Sequence, residues 1–173
     1  EVGIHAWNRA RWEGNVQTAD NRWIESEMAK ACAKFEELLS EAPKAHAAAG
    51  WRMNRHALRL TQRLGFSYAS DCRGSHPFIP VIDGELVACP QLPTTLPTLD
   101  ELLVLEPRYS PEQAVDRIAQ LTKAIAGDHV FTLRAELEGM KFVDAFERLL
   151  GAWKNSDHLL VPLRDIRATL DPG

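Results

Sequence analysis

Short apolar runs alternate with amphipathic helical stretches along this chain, and that alternation constrains its fold more than any other feature. Phe66-Ser67-Tyr68-Ala69-Ser70 is long enough for a strand and too short for a buried helix. Similar runs predict strands over residues 2–7, 130–133 and 158–162, and a short buried strand ending in a loop over 47–51. Helical spacing fills the gaps. Ile24, Met28, Ala31, Phe35, Leu38 and Leu39 predict a helix over 21–40, with Asp20 placed to cap it. A helix over 54–64 turns Ala57, Leu60 and Leu64 inward and stops at Gly65. Ser110-Pro111-Glu112-Gln113 starts another: Ser110 caps, Pro111 suits the first turn, Gln113 closes a capping box, and Gly127 follows the end at Ala126. Phe142, Val143, Phe146, Leu149, Leu150 and Trp153 line one more helix, and a short one ends the chain.

Asp83-Gly84 between Phe78-Ile79-Pro80-Val81-Ile82 and Leu86-Val87-Ala88-Cys89 predicts an inserted β-hairpin, because both turn positions favour positive φ. Residues 90–97, with three prolines among apolar residues, read as a packed loop. Strand–helix alternation with one hairpin argues for an α/β fold with a largely parallel sheet or barrel. At 173 residues, 45% of them hydrophobic and 25% charged, the chain is expected to form a single domain over 1–173.

Charge and composition exclude several functions. A net charge of −4 and a pI near 5.9 give no electrostatic footprint for nucleic acid. No apolar run approaches the roughly 18 residues of a membrane span. Glu1-Val2-Gly3-Ile4-His5 reads as the inside of a strand rather than a signal peptide. Cys32, Cys72 and Cys89 contain no C-x-x-C pair, so neither a disulfide framework nor a structural zinc site is expected. Arg73 beside Cys72 could lower that thiol's pKa, although a partly buried loop cysteine is the plainer reading. No two of the six histidines are spaced i, i+4.

In parallel α/β folds the site lies at the C-terminal ends of strands. Polar residues stand there in this chain: Asn8 after the first predicted strand, Asp71 and Arg73 after the third, Arg134 and Glu136 after a later one.

Gly3-Ile4-His5-Ala6-Trp7, Ala47-Ala48-Ala49-Gly50-Trp51-Arg52, Ser70-Asp71-Cys72-Arg73-Gly74, Gln91-Leu92-Pro93-Thr94-Thr95-Leu96-Pro97-Thr98 and Ala135-Glu136-Leu137-Glu138-Gly139 occur in that order. Together they resemble the ArnD-like deformylases of the NodB-type polysaccharide deacetylase superfamily. The resemblance implies a distorted (β/α) barrel, here partial, with its N-terminal strands missing: about the C-terminal two-thirds. It implies a hydrolase acting on a non-peptide C–N bond, the amide of an undecaprenyl-phosphate-linked aminoarabinose, in lipid A modification. It also implies a divalent metal that activates water, a lipid-linked aminosugar partner with peripheral membrane contact, and a place in the bacterial cytoplasm or at the cytoplasmic face of the inner membrane.

Carried over residue by residue, the resemblance makes His5 the first metal histidine. Arg9 stands where the second belongs, and Arg134 stands at the late-strand acid. The family's aspartates would precede Glu1, and Asn8 stands where the subfamily has aspartate. A guanidinium neither ligates a cation nor cycles a proton near neutral pH, so the chain by itself is expected to be inactive.

Two readings stay open for each position. His5 is a ligand or a satisfied strand-end histidine. Arg9 and Arg134 enter the old metal pocket and hold an anion there, or form surface ion pairs; for Arg134 an acid more distant than Glu136 is the expected partner. Asp71 and Arg73 contact sugar or phosphate, or hold their loop together. Trp51 and Arg52 line the groove, or belong to core and rim. Glu136 and Glu138, alternating in a strand-like run, face one side as an orienting pair or a solvated one. Trp7, Trp12 and Trp23 form core, or a lipid-facing rim. The rival to the deformylase reading is a non-catalytic protein, a pseudoenzyme that binds a sugar phosphate or glycolipid.

Overall fold

The computed structural model describes residues 1–105, 108–156 and 158–168, with the backbone alone at 167 and 168. It divides into two compact units: residues 1–93 with the described part of the segment from Leu163, and residues 94–162.

The first unit is built on a short parallel row. Ile4 bridges His46, β1 (Ala45–His46) pairs with β2 (Tyr68–Ala69), and Ala69 bridges Gln91, all in parallel. Parallel neighbours need crossover connections, and helices supply most of them. Between Ile4 and β1 run α1 (Arg9–Asn15) and α2 (Asn21–Leu39), while α3 (Arg55–Arg63) joins β1 to β2. Asn8, Asp20 and Asn54 cap these helices by accepting from the N–H groups of Arg11, Trp23 and Ala57. The buried face of α2 is Ile24, Met28, Ala31 and Phe35, packed with Trp12, Val16, Leu60 and Phe66. Each such side chain adds about 1.5–3 kcal/mol of apolar burial. Leu38, Leu39 and Leu64 do not join them and stay exposed.

Several predicted strands are shorter than their apolar runs. Of residues 2–7 only Ile4 makes a bridge. The strand expected over 47–51 ends earlier, at His46, and Ala49–Trp51 forms a 3₁₀ turn with Gly50 at φ +62° and Trp51 at φ +53°. The chain reverses there instead of extending.

After β2, β3 (Val81–Ile82) and β4 (Glu85–Leu86) pair antiparallel around Asp83 and Gly84, whose φ values are +53° and +83°. Leu92, in the proline-rich stretch, is fully buried with Ala45, Tyr68 and Ile166 of the C-terminal helix, Leu163–Ala168.

In the second unit, α4 (Leu99–Val104), α5 (Pro111–Ala124) and α6 (Val143–Lys154) surround Leu96, Val115, Ile118, Leu149 and Trp153. Thr98 with Glu101, and Ser110 with Gln113, form capping boxes. Residues 130–133 are not a strand: Val130 exchanges hydrogen bonds with Thr95 and Leu96, and Leu133 is exposed. Nor are residues 158–162, where Leu159, Leu160 and Val161 are exposed.

The chain is therefore α/β with a parallel row, and the described strands do not close into a barrel. Gly3 lies tight against that row: a Cβ there would meet the Ala45 carbonyl oxygen at 2.7 Å. Gly3→Ala is expected to cost about 1–3 kcal/mol by forcing Ile4 away from β1, read as a lower urea midpoint with an unchanged slope.

Candidate functional site

The end of the parallel row carries a buried polar cluster. His46 closes β1, Asp71 follows β2, and Gln91 is the next bridging position. The side chains of His46 and Asp71 are wholly buried, and Gln91 is 1% exposed. His46 Nδ1 lies 2.6 Å from Asp71 Oδ1, where it donates to the carboxylate. The Ala48 N–H donates to the same oxygen at 2.9 Å. Gln91 Nε2 donates to Oδ2 at 3.1 Å, and Gln91 Oε1 accepts from the Asp71 N–H at 3.0 Å. Phe66 stacks on the His46 ring and Trp12 meets its edge. A charge buried this deeply is tolerated only when hydrogen-bonded this fully. Asp71 was expected to touch sugar or phosphate; its carboxylate is instead internal, with both oxygens engaged.

Beside this cluster stand the more exposed residues. His5 donates from Nδ1 to the Ala47 carbonyl at 2.7 Å, which leaves Nε2 as the acceptor nitrogen. Desolvation lowers the His5 pKa most; His46 and Arg9 add to that, while the Ala47 hydrogen bond and Glu13 oppose it. Arg9, the first residue of α1 and four positions after His5, pairs through Nε with Glu13 at 2.7 Å. Arg52 donates from Nη1 to the Glu13 carbonyl and accepts at its own carbonyl from Trp12 Nε1. A Cβ on Gly50 would come within 3.0 Å of the Glu13 side chain, so the left-handed turn lets the loop lie close to α1. Arg73 places its guanidinium 4.8 Å from the centroid of the half-buried Trp51 ring. His5, Arg9, Trp51, Arg52 and Arg73 thus all belong to the first unit.

Trp12 stacks on Trp23 in the core, whereas Trp7 is half exposed. Cys72 is not activated by Arg73: burial, then Asp71, pushes its thiol up to about 11.

Arg134 and Glu136 lie in the second unit. The expected strand through Glu136 and Glu138 is replaced by a π-helical turn, Leu137–Lys141. The two glutamates consequently part: Glu136 is exposed, while Glu138 is buried and accepts from the Arg134 N–H at 2.8 Å. The Arg134 guanidinium pairs with Asp100 at 3.2 Å, an acid more distant than Glu136.

Among the described residues no three His, Cys, Asp or Glu side chains converge on a point that could hold a metal ion. His5 is one imidazole with an arginine four residues on, and these residues do not by themselves fit a metal site. His46 and Gln91 escaped the sequence reading. The signal was there: a polar residue inside an apolar run must find a partner once the run is buried.

Asp71→Ala would strip acceptors from Ala48, His46 and Gln91 together. A loss of about 3 kcal/mol or more is expected in chemical denaturation. His5 should titrate below 6.5 by NMR. The unfolded chain then binds the proton more readily, so the His5 contribution to stability is full above about pH 6.5 and is lost as pH falls through the folded midpoint. A midpoint at or above 6.5 would count against this environment.

No protein-family model matches the chain. It is 33% identical over 172 residues to the "Probable 4-deoxy-4-formamido-L-arabinose-phosphoundecaprenol deformylase ArnD" of Shewanella sediminis (strain HAW-EB3), covering 96% of this chain and 52% of that one. It is 30% identical to the protein of the same name from Wigglesworthia glossinidia brevipalpis, covering 96% and 58%. The chain thus spans a little over half the length of these curated relatives. In fold it is similar to a putative polysaccharide deacetylase from Mycobacterium smegmatis, with TM-score 0.75, 20% identity, and 97% of this chain on 62% of that one. A second solved structure of similar fold is the Puue allantoinase, with TM-score 0.77, 18% identity, and 97% on 58%. The row of parallel strands and the match along nearly the whole sequence agree: the chain is similar over 96% of its length to proteins named ArnD and has the α/β fold of solved polysaccharide deacetylases.

Proposed function

We propose that this chain is part of an ArnD-like deformylase, a hydrolase that cleaves the formamide of an aminoarabinose linked to undecaprenyl phosphate, in lipid A modification. The observation that carries this reading is the identity with proteins of that name along 96% of the chain. On this reading the residues form part of a NodB-type barrel and work as a single domain, at the cytoplasmic face of the bacterial inner membrane with peripheral membrane contact. No described helix is long and apolar enough to cross a membrane.

The substrate offers a sugar ring, a phosphate and an amide. Trp51 with Arg73 over its ring supplies a flat apolar face beside a cation, which suits a sugar carrying a phosphate. Arg9 and Arg52, both held to Glu13, add positive charge to the same loop region. His5 is the imidazole at the family ligand position, with Nε2 as its acceptor nitrogen. A divalent metal would polarise the formyl carbonyl in such an enzyme. Among the described residues His5 alone stands at a family ligand position, and these residues by themselves do not fit the metal. Glu136, exposed before the π turn, is proposed as an orienting carboxylate.

A second reading is a non-catalytic binder of a sugar phosphate or glycolipid. Two ion pairs favour it: Arg9 with Glu13 where a second histidine would stand, and Arg134 with Asp100 at the acid position. Formate release from the lipid-linked formamido-sugar, measured with a full-length version that contains this chain and is supplemented with divalent metal, separates the two. The deformylase reading expects formate, and a fall of about a hundredfold in His5→Ala if that ring serves the reacting centre. Binding by calorimetry without formate, weakened by salt and by Arg73→Ala, establishes the binder instead.

A further inference from the structure

The peptide group between Ala47 and Ala48 is gripped from both sides. Its carbonyl oxygen accepts from His5 Nδ1 at 2.7 Å, and its N–H donates to Asp71 Oδ1 at 2.9 Å. A trans peptide presents C=O and N–H in opposite directions and conjugates them. A negative charge at the N–H end therefore makes the carbonyl a stronger acceptor, as hydrogen bonds in series polarise one another in a low dielectric. The preceding Ala47 N–H donates to the Ile4 carbonyl at 2.9 Å, so the segment is also tied to the residue just before His5.

Asp71 is itself immobilised. His46 on one oxygen and Gln91 on the other hold the carboxylate, and a second Gln91 bond fixes its backbone. His46 is in turn packed between Phe66 and Trp12. The negative charge of Glu13 also acts on His5, and Glu13 Oε1 is held by Arg9.

We propose that Asp71 is the positioning residue for His5: through the Ala47–Ala48 peptide it holds the imidazole in the Nδ1–H tautomer and keeps Nε2 as the lone-pair nitrogen. Which ring nitrogen carries the proton is set by the bond the other one makes, and here that bond is backed by a buried carboxylate one peptide away. Asp71 touches no substrate in this role. The functional consequence rests on the reading of His5 given above, but the coupling between the two residues does not.

The test is a long-range proton–nitrogen correlation of the His5 ring in the full chain at pH 7.5, which reports the protonation of each nitrogen. The native chain is expected to show Nδ1–H with Nε2 bare. Asp71→Asn keeps an oxygen for the Ala48 N–H and removes the charge. It is expected to raise the Nε2–H population about threefold or more, in keeping with weakening one charge-assisted hydrogen bond. Gln91→Met loosens Asp71 without touching Ala48. It should move His5 less and in the same direction, and it decides the matter if Asp71→Asn does not fold. A purely structural Asp71 would lower the melting temperature and leave the His5 nitrogens unchanged in the folded variant, and that result would overturn the proposal. Absence of formate release with the tautomer response intact removes the deformylase reading and leaves the coupling standing.

Discussion

A carboxylate with no exposed side-chain surface is the constraint around which the first unit is arranged. Taking Asp71 out of water costs several kcal/mol unless each oxygen is met by a donor. Three donors meet it, from His46, Ala48 and Gln91. Two of them come from His46 and Gln91, which flank Ala69, two residues before Asp71, in the parallel row. Their convergence requires the row to be in register. A one-residue slip of β1 would turn His46 to the opposite face of the sheet and leave the carboxylate short of a partner. The cluster thus reports on the register as much as it depends on it.

The loop after β1 inherits this rigidity. Ala48 is pinned by Asp71, and two residues later the chain turns through left-handed Gly50 and Trp51. A left-handed tryptophan is strained by roughly 1–2 kcal/mol. The strain is offset by contacts that the turn makes possible: Gly50 against Glu13, the Arg52 carbonyl receiving Trp12, and Arg73 over the Trp51 ring. An extended segment, as the apolar composition of 47–51 suggested, would have made none of them.

Much of this was legible in the residues where local chemistry decides. The spacing of Ile24, Met28, Ala31 and Phe35, the Ser110–Gln113 box and the Asp83-Gly84 turn describe elements that close on themselves, and all are found. Strands are different, because a strand exists only when a neighbour accepts its hydrogen bonds. Residues 130–133 and 158–162 have strand-like composition, yet only Val130 finds part of a ladder. The site followed the same rule. Arg9 and His5 could be placed from motif order alone. The Asp71 cluster joins residues separated by 25 and by 20 positions, and nothing short of the register brings them together.

The arginines at the two departed family positions bear on chemistry through their partners. Each guanidinium stands within an ion pair of its own unit, Arg9 with Glu13 and Arg134 with Asp100. All four side chains are partly exposed, so these pairs add little stability, about 0–1 kcal/mol each. His5 is held differently: its acceptor is a carbonyl backed by a buried carboxylate that cannot relax without breaking the cluster. The first unit accordingly sets a fixed imidazole near the partly exposed guanidinium of Arg9.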